Sequence, residues 1–287
     1  MAISQSHKLG EFIGTFFEDL MKKPISEFAD KHGLYFDTNR ARKARNNRKV
    51  LTWKDAHGNE HRLDFVLEKG GTESAFGEPV AFIELAWRNY TKHSKNKVQE
   101  ISGAVNPICE KYERTRPFKG AILSGVFTDN SLSQLKSEGF HLMYIPYEKM
   151  IQAFRVHGLD IDYGEGSKEA DVKKMFAAIS KKSNKTALEK VRQEILKTCD
   201  EEIKQFVSEL TAYYNRKIKN ICILPLHGKS TYVIDVERAI DFINGYTEIP
   251  RNQSLEYIQV IVTYNIGSII QCQFKTKAEA IDFLNKL

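Results

Sequence analysis

The stretch AFIELAWRNYTKHSKNK, residues 81–97, joins a strand-like apolar run directly to a cluster of positive charge. Glu84 lies in the middle of the apolar run, where an unpaired carboxylate is costly to bury. The basic residues that follow it are Arg88, Lys92, Lys95 and Lys97. A strand that only fills a core needs neither the acid nor the cations. The stretch therefore predicts a site at which a buried acid meets a basic surface.

The bulk composition indicates an ordinary globular protein of the cytoplasm. The chain has 287 residues, of which 41% are hydrophobic, and a formal net charge of +6, which is moderate. Its cysteines stand far apart, without the spacing of zinc sites, which favours reduced thiols over a disulfide framework. They are Cys109, Cys199, Cys222 and Cys272. Because the N-terminus lacks a signal-peptide apolar region and no window approaches a membrane span, we expect no membrane partner.

The pattern up to residue 165 predicts an α/β domain. Apolar residues at helical spacing indicate a helix over residues 8–32, which Pro24 is expected to kink or divide. The segments that follow are strands at 49–53, 61–69 and 79–87, a helix at 94–114, a strand at 118–128, a short helix, and a strand at 140–147. This order predicts a mixed central sheet flanked by helices.

The remainder of the chain has a different rhythm. Residues 166–217 read as a helical connector, and residues 218–287 as a small α+β module with the order ββαββα. The string AIDF occurs in both predicted helices of that module, at 239–242 and 280–283, which suggests an internal duplication. We expect this module to serve in target recognition or in dimerisation.

Two acids interrupt apolar runs on neighbouring predicted strands. Asp64 lies in the run 61–69 and Glu84 in the run 79–87. If these strands are adjacent, both carboxylates can converge on one hard divalent cation, and Mg²⁺ suits such oxygen ligands. The alternative is a set of ordinary ion pairs, in which Asp64 meets Arg62 or Lys69 and Glu84 meets Arg88.

These acids, and the order helix, three strands, helix, strand, resemble the PD-(D/E)xK nuclease superfamily, to which many type II restriction endonucleases belong. Glu11, in KLGEFIGTFFEDL, matches the extra acid that many members carry on the first helix. The resemblance covers about residues 8–150. It implies a restriction-endonuclease-like core in a catalytic domain over residues 1–165. It also implies Mg²⁺-dependent hydrolysis of double-stranded DNA at a specific sequence, by a homodimer acting on a palindromic target.

The sequence departs from the motif of that superfamily at two positions. Leu63 stands where a proline precedes the first acid, and Ala86 stands where the motif has its lysine. The missing cation can come from another backbone position if its charged group reaches the same place. We expect Lys97, at the start of the following helix, to replace it, with Arg88 as the next candidate. The residues expected to contact a phosphate or a bound water beside them are Lys92, Lys95 and Gln99.

A second basic segment, NRARKARNNRK at residues 39–49, contains no acid and alternates cations with asparagines. Such a run suits a polyanion, and asparagine can also reach base edges. Its alternative interpretation is a mobile, solvated loop. The residues predicted to contact DNA are Arg40, Arg42, Lys43, Arg45 and Arg48.

Other chemistries lack their motifs. No Walker A or dinucleotide-binding glycine pattern occurs, so we expect no nucleotide cofactor, and neither serine-hydrolase nor zinc-protease signatures are present. His93 is close enough to the predicted site to act as a base, although a structural or surface role is the simpler interpretation. Two other functions remain open. One is a repair or mobile-element nuclease with the same core, and the other is a DNA-binding protein whose catalytic site has decayed, as Ala86 would allow.

Overall fold

The computed structural model describes residues 4–164, 166–225, 230–247, 255 and 257–287, and the side chains of residues 92, 93 and 182 lie outside the described set. The chain divides into two compact units. The N-terminal unit comprises Met1–Lys111 and Phe118–Thr211, and the C-terminal unit comprises Tyr112–Pro117 and Ala212–Leu287. Within the described ranges, no helix has the length and apolar character needed to cross a membrane.

The first helix, α1, spans Gln5–His32 and confirms the prediction for residues 8–32. Its N-cap is Ser4, whose side chain accepts a hydrogen bond from the His7 N–H, and Gly33 ends it in the left-handed conformation. Pro24 lies inside the helix without dividing it, and the alternative, a kink, stays a prediction. The buried face of α1 carries large apolar side chains that pack into the core of the unit.

The strands of the N-terminal unit are β1 (Tyr35–Thr38), β2 (Thr52–Lys54), β3 (Glu60–Arg62), β4 (Phe65–Lys69), β5 (Glu78–Arg88), β6 (Phe118–Gly125) and β7 (His141–Pro146). Its helices after α1 are α2 (Thr91–Lys111), α3 (Asp129–Ser137), α4 (Tyr147–Val156), α5 (Glu169–Ile179), α6 (Lys185–Thr198) and α7 (Asp200–Tyr214). The central sheet has the order β1-β4-β5-β6-β7. Pairing is antiparallel on the β1 side of β5 and parallel on the β7 side, so the predicted mixed sheet flanked by helices is confirmed.

The predicted strand 61–69 is interrupted, and Leu63 and Asp64 separate its two halves. β3 pairs with β2 in a separate two-stranded sheet, whereas β4 enters the central sheet beside β5. Two hydrogen bonds hold the interruption: the Leu63 N–H donates to the Leu51 carbonyl at 3.0 Å, and the Asp64 N–H donates to the Glu84 carboxylate at 3.2 Å. Asp64 therefore lies immediately before β4 rather than within a strand.

Helices α5 and α6 belong to the N-terminal unit, which corrects the prediction of a separate connector over 166–217. α5 packs on α1 and α6 packs on α4. Phe176 of α5 meets Phe12 edge to face, with 6.3 Å between the ring centroids, and Phe206 of α7 meets Phe118 in the same manner at 5.7 Å. The boundary between the two units, near residue 212, lies close to residue 218, where the last module was predicted to start.

The C-terminal unit contains β8 (Ile218–Pro225), β9 (Thr231–Val233), α8 (Val236–Gly245), β10 (Ile258–Tyr264), β11 (Ile269–Phe274) and α9 (Lys277–Leu284). This is the predicted ββαββα order, on an antiparallel sheet with the order β11-β10-β8-β9. Ala239 and Ala280, the first residues of the two AIDF strings, are each the fourth residue of their helix and fully buried. The duplication stays a prediction.

Candidate metal centre

The two predicted acids meet at the end of the β4–β5 pair. The antiparallel register sets Phe65 opposite Ile83, so the preceding residue, Asp64, falls beside Glu84. The Asp64 N–H donates to Glu84 Oε1 at 3.2 Å, and the Leu85 N–H donates to Asp64 Oδ2 at 2.8 Å. Each carboxylate is therefore fixed by a backbone donor from the other's strand segment.

Neither carboxylate has a basic partner in direct contact within the described part of the chain. Among the described residues, no lysine or arginine nitrogen lies within ion-pair distance of Asp64 or Glu84. The alternative pairs with Arg62, Lys69 and Arg88 are not formed. Glu84 is only 5% exposed, and its position in a ladder between β4 and β6 keeps it there. Glu84 is thus buried, Asp64 is half-buried, and the pair lacks a neutralising contact from the described chain.

The electrostatics of the pair follow from this burial. Burial raises the pKa of Asp64, while the Leu85 N–H and the charge of Lys97 lower it. Burial raises the pKa of Glu84 well above its usual range, the neighbouring charge of Asp64 raises it further, and Lys97 opposes both effects. Two desolvated carboxylates that repel each other gain most from a shared cation. The pair has the charge and the donor chemistry for a hard divalent ion.

A cleft of about 760 Å³ opens beside Asp64. One wall is a face of α1, and the other combines the end of β5, the start of α2 and Tyr163. The charged residues on its walls are Glu11, Glu18, Asp64, Arg88, Lys97 and Glu100. Gly14 faces this space without a neighbour within 4 Å of its added Cβ position, so α1 presents bare backbone there. An extended ligand can therefore approach the carboxylates from the α1 side.

Lys97 supplies positive charge that acts on the pair. It lies in the second turn of α2, and its charge lowers the pKa of both carboxylates. Its Nζ is 3.6 Å from Glu100 Oε2, and an Arg88 Nη is 3.9 Å from the same oxygen. Arg88 also donates to the Trp87 carbonyl at 2.7 Å, and its charge is not among the influences on either acid. Ala86, at the position of the motif lysine, lines the cleft with a methyl group.

The sequence pointed to Glu11 on the first helix, whereas Glu18 is an acid of α1 whose pKa is affected by the charge of Asp64. Burial raises the pKa of Glu18, Lys22 lowers it, and the charge of Asp64 raises it. Glu11 lines the cleft and is exposed. The two glutamates are seven residues apart and share one helix face, so spacing alone identified the face without choosing between them.

The predicted DNA contacts separate into buried and exposed groups. Arg42 and Arg45 are 0% and 2% exposed and pair with buried acids, so the prediction that they contact DNA was wrong. Arg40 and Arg48 are exposed and form surface pairs with Glu73 at 3.0 Å and Glu60 at 3.1 Å. The predicted residues Lys43, Lys95 and Gln99 are exposed. The side chain of Lys92, like that of His93, lies outside the described set.

The donor set fits a magnesium ion. No group of three or more His, Cys, Asp and Glu side chains arranged for a metal is found within the described residues. Mg²⁺, however, commonly takes only one or two carboxylates and completes its shell with water and substrate phosphate. Asp64 and Glu84 supply that number, beside a cleft large enough for a phosphate-bearing ligand.

Comparison with known proteins adds little to this geometry. No protein-family model matches the chain. No curated protein is similar to it in sequence. A crystal structure of a protein of unknown function, AF1548, is similar at 12% identity and a TM-score of 0.28, over 68% of this chain and 98% of that one. At that TM-score the similarity carries no argument.

Proposed function

We propose that this protein is a magnesium-dependent endonuclease of the type II restriction kind, which hydrolyses phosphodiester bonds of double-stranded DNA at a specific sequence. The observation that carries the proposal is the convergence of Asp64 and Glu84, with no basic side chain of the described residues in contact with them. The mixed sheet with α1 before it is compatible with a PD-(D/E)xK core. A homodimer in the cytoplasm, acting on a palindromic target, is part of the same proposal.

Asp64 and Glu84 are the residues that would hold Mg²⁺. A bound Mg²⁺ supplies Lewis-acid activation of water and stabilises the charge that develops on the phosphodiester. The chain contributes rigidity, because backbone N–H groups from Asp64 and Leu85 fix the carboxylates before any ligand arrives. Such preorganisation avoids reorienting the acids during the reaction.

Lys97 takes the role that Ala86 leaves vacant. Its charge acts on both carboxylates and its side chain lines the cleft, where it can orient the attacking water and neutralise a phosphate oxygen. Glu100 holds Lys97 and Arg88 near one another on the same wall. Glu18 assists from α1, in place of Glu11. Because Lys97 supplies the positive charge that Ala86 cannot, we favour an active enzyme over a decayed site.

The other functions are distinguished by their products. A repair or mobile-element nuclease uses the same carboxylates but leaves heterogeneous fragments or acts on one strand. A DNA-binding protein with a decayed site leaves the plasmid intact in Mg²⁺ and still retards DNA in a gel.

The direct test is plasmid cleavage with Mg²⁺ and with EDTA. Asp64→Asn and Glu84→Gln should each lower the cleavage rate by about 1,000-fold or more, because a metal contribution of several kcal/mol is lost. The matched controls are Asp30→Asn and Glu27→Gln, exposed acids of α1, which should cleave at the wild-type rate. Discrete fragments support sequence specificity. Full activity in either site variant, or equal activity in EDTA, would refute the proposal.

A further inference from the structure

The segment of residues 39–51, here called the anchored loop, is held from beneath by buried ion pairs. Arg42 donates to Asp37 at 2.6 Å and to Glu68, and Arg45 also donates to Asp37. All four side chains are almost completely buried. Such a network joins the loop to β1 and β4, the two strands that carry these acids.

Backbone groups complete the support. Arg42 donates to the Thr72 carbonyl at 2.7 Å and to the Ala75 carbonyl at 2.8 Å, so it also fixes the loop before β5. Arg45 donates to the Thr38 carbonyl at 3.1 Å and to the Arg40 carbonyl at 2.7 Å. Removing charges from water costs several kcal/mol for each ion, and apolar residues would often fill such a space with equal stability. What this network provides is one fixed loop conformation.

The exposed side of the anchored loop presents two consecutive asparagines. Asn46 and Asn47 have φ values of +54° and +58°, in the left-handed region that few side chains adopt. Their N–H groups donate to the Lys43 and Arg42 carbonyls, each at 2.9 Å. Both side chains are exposed. Backbone held in this conformation by its surroundings is characteristic of binding sites.

The surroundings of these asparagines are basic. Lys43, Arg48 and Lys49 are exposed on the same loop, and no acid occurs between residues 39 and 49. Arg48 is engaged with Glu60 in a surface pair of the kind that contributes little stability and is readily exchanged for a phosphate. The loop itself contributes amides and cations but no acid, while Glu60 and Glu73 from neighbouring segments pair with Arg48 and Arg40 at its edge. Its exposed amides and cations match a polyanion that carries hydrogen-bonding edges, which is the chemistry of a nucleic-acid groove.

The base of the anchored loop is tied to the candidate metal centre. The Asn39 side chain accepts from the Leu51 N–H at 2.9 Å and donates to the Leu63 carbonyl at 3.4 Å. The Leu63 N–H donates to the Leu51 carbonyl at 3.0 Å. Because Leu63 directly precedes Asp64, the conformation of the loop and the position of the carboxylate are linked through one residue.

We infer that the anchored loop is the sequence-reading element of the protein, in which Asn46 and Asn47 contact base edges of duplex DNA. Asparagine can bind the N6 and N7 positions of adenine with two hydrogen bonds, so the loop selects A·T pairs in the major groove. Lys43, Arg48 and Lys49 contact phosphates, which position the loop without carrying sequence information. This inference rests on the proposed function, since it takes duplex DNA as the substrate.

The test is selection from a pool of duplexes with a random core, using the full chain with EDTA present so that the DNA stays intact. The informative variant is Asn46→Gly with Asn47→Gly, because glycine keeps the positive φ and removes the amides. We expect wild type to enrich a sequence containing A·T pairs. The variant should bind the pool with a similar affinity but lose about 5- to 150-fold of discrimination at one or two positions, as expected for lost bidentate contacts.

Lys49→Ala is the control for backbone contact. It should weaken binding to every duplex alike and lower the salt dependence of binding by about one phosphate. The inference is overturned if the glycine variant enriches the same sequence with the same preference, if it loses affinity for all duplexes alike, or if wild type binds all sequences equally. If wild type enriches no duplex because it binds none, the proposed function fails as well, so the two failures are distinguishable.

Discussion

Replacing Arg42 by methionine tests the buried network that supports the anchored loop. Methionine fills much of the same space but removes a guanidinium that is 0% exposed. Asp37 keeps Arg45 as a partner, whereas Glu68 is left with the Gly77 N–H, which donates to it at 2.6 Å. The Thr72 carbonyl also loses its guanidinium donor, whereas the Ala75 carbonyl keeps the Thr72 N–H as a donor. The variant therefore leaves a buried carboxylate without its cation.

The expected loss of unfolding free energy follows from this geometry. Removing one partner of a buried ion pair costs about 3–5 kcal/mol, because the remaining charge stays desolvated. With a urea dependence of about 2–3 kcal/mol per molar, the unfolding midpoint should fall by about 1 to 2.5 M. Arg40→Met is the matched control, since Arg40 is 45% exposed and pairs with Glu73 at the surface. Its loss should stay within about 1 kcal/mol.

The pH dependence of the Arg42→Met variant gives a second readout. Burial raises the pKa of Glu68, and its hydrogen bond with Arg42 opposes that rise. Without Arg42 the folded-state pKa rises further above the unfolded value, so protonation of Glu68 stabilises the fold. That contribution is present at low pH and is lost as the pH rises through the folded-state pKa. The deficit relative to wild type should thus be smaller near about pH 5 than near about pH 8.

Urea unfolding followed by tryptophan fluorescence measures both effects. Adding Glu68→Gln to Arg42→Met should recover most of the lost stability, because the amide removes the stranded charge and keeps an acceptor for the Gly77 N–H. Equal losses in Arg42→Met and Arg40→Met, or a deficit that grows as the pH falls, would refute the reasoning.

Lys97→Ala should lower the rate of single-turnover DNA cleavage by about 100-fold or more, as for other lost charge-stabilising donors. Arg88→Ala should lower it by less than about 10-fold. The opposite ranking would show that Arg88 replaces the motif lysine. Gly103→Ala should raise the unfolding free energy by about 0.5–1 kcal/mol, because Gly103 lies exposed in α2 and its added Cβ meets nothing within 4 Å. Gly125→Ala should lower it by about 3 kcal/mol or more, since its φ is +104° and its Cβ would lie 1.9 Å from the Arg88 carbonyl oxygen. Urea midpoints of the two glycine variants check this, and equal shifts would contradict it.

The sequence predicted the sheet well where local pattern decides the structure. The apolar run containing Glu84 became β5, and the uninterrupted run 118–128 became β6, which pairs with β5 and β7 as a buried parallel strand should. Asp64 and Glu84 were found because an acid inside an apolar run has an unfavourable desolvation energy that demands an explanation. Each of these inferences uses neighbours within a few residues along the chain.

The errors arose where distant residues decide the structure. Arg42 and Arg45 looked like a solvated basic run because Glu68, which pairs with Arg42 and lies 26 residues away from it, cannot be recognised as a partner from spacing. The interruption at Asp64 depends on the Leu63–Leu51 hydrogen bond and on the Glu84 side chain, neither of which alters the strand pattern of 61–69. A basic run with asparagines therefore predicts exposed side chains only where no buried acid of the folded chain pairs with them.

Glu68 pairs with an arginine of the described chain, whereas Asp64 and Glu84 do not, and this comparison supports the proposed metal site. Glu68 on β4 has Arg42 and the Gly77 N–H as donors, so its charge is balanced within the chain. Among the described residues, Asp64, just before the same strand, and Glu84 on the next each have one backbone donor, and their charges repel one another. Since the fold places an arginine against Glu68 of β4, a cation could have been placed against Asp64 in the same way. The Asp64–Glu84 pair, with Asp64 on the wall of a cleft and no lysine or arginine of the described chain in ion-pair contact, suits the proposed cation site.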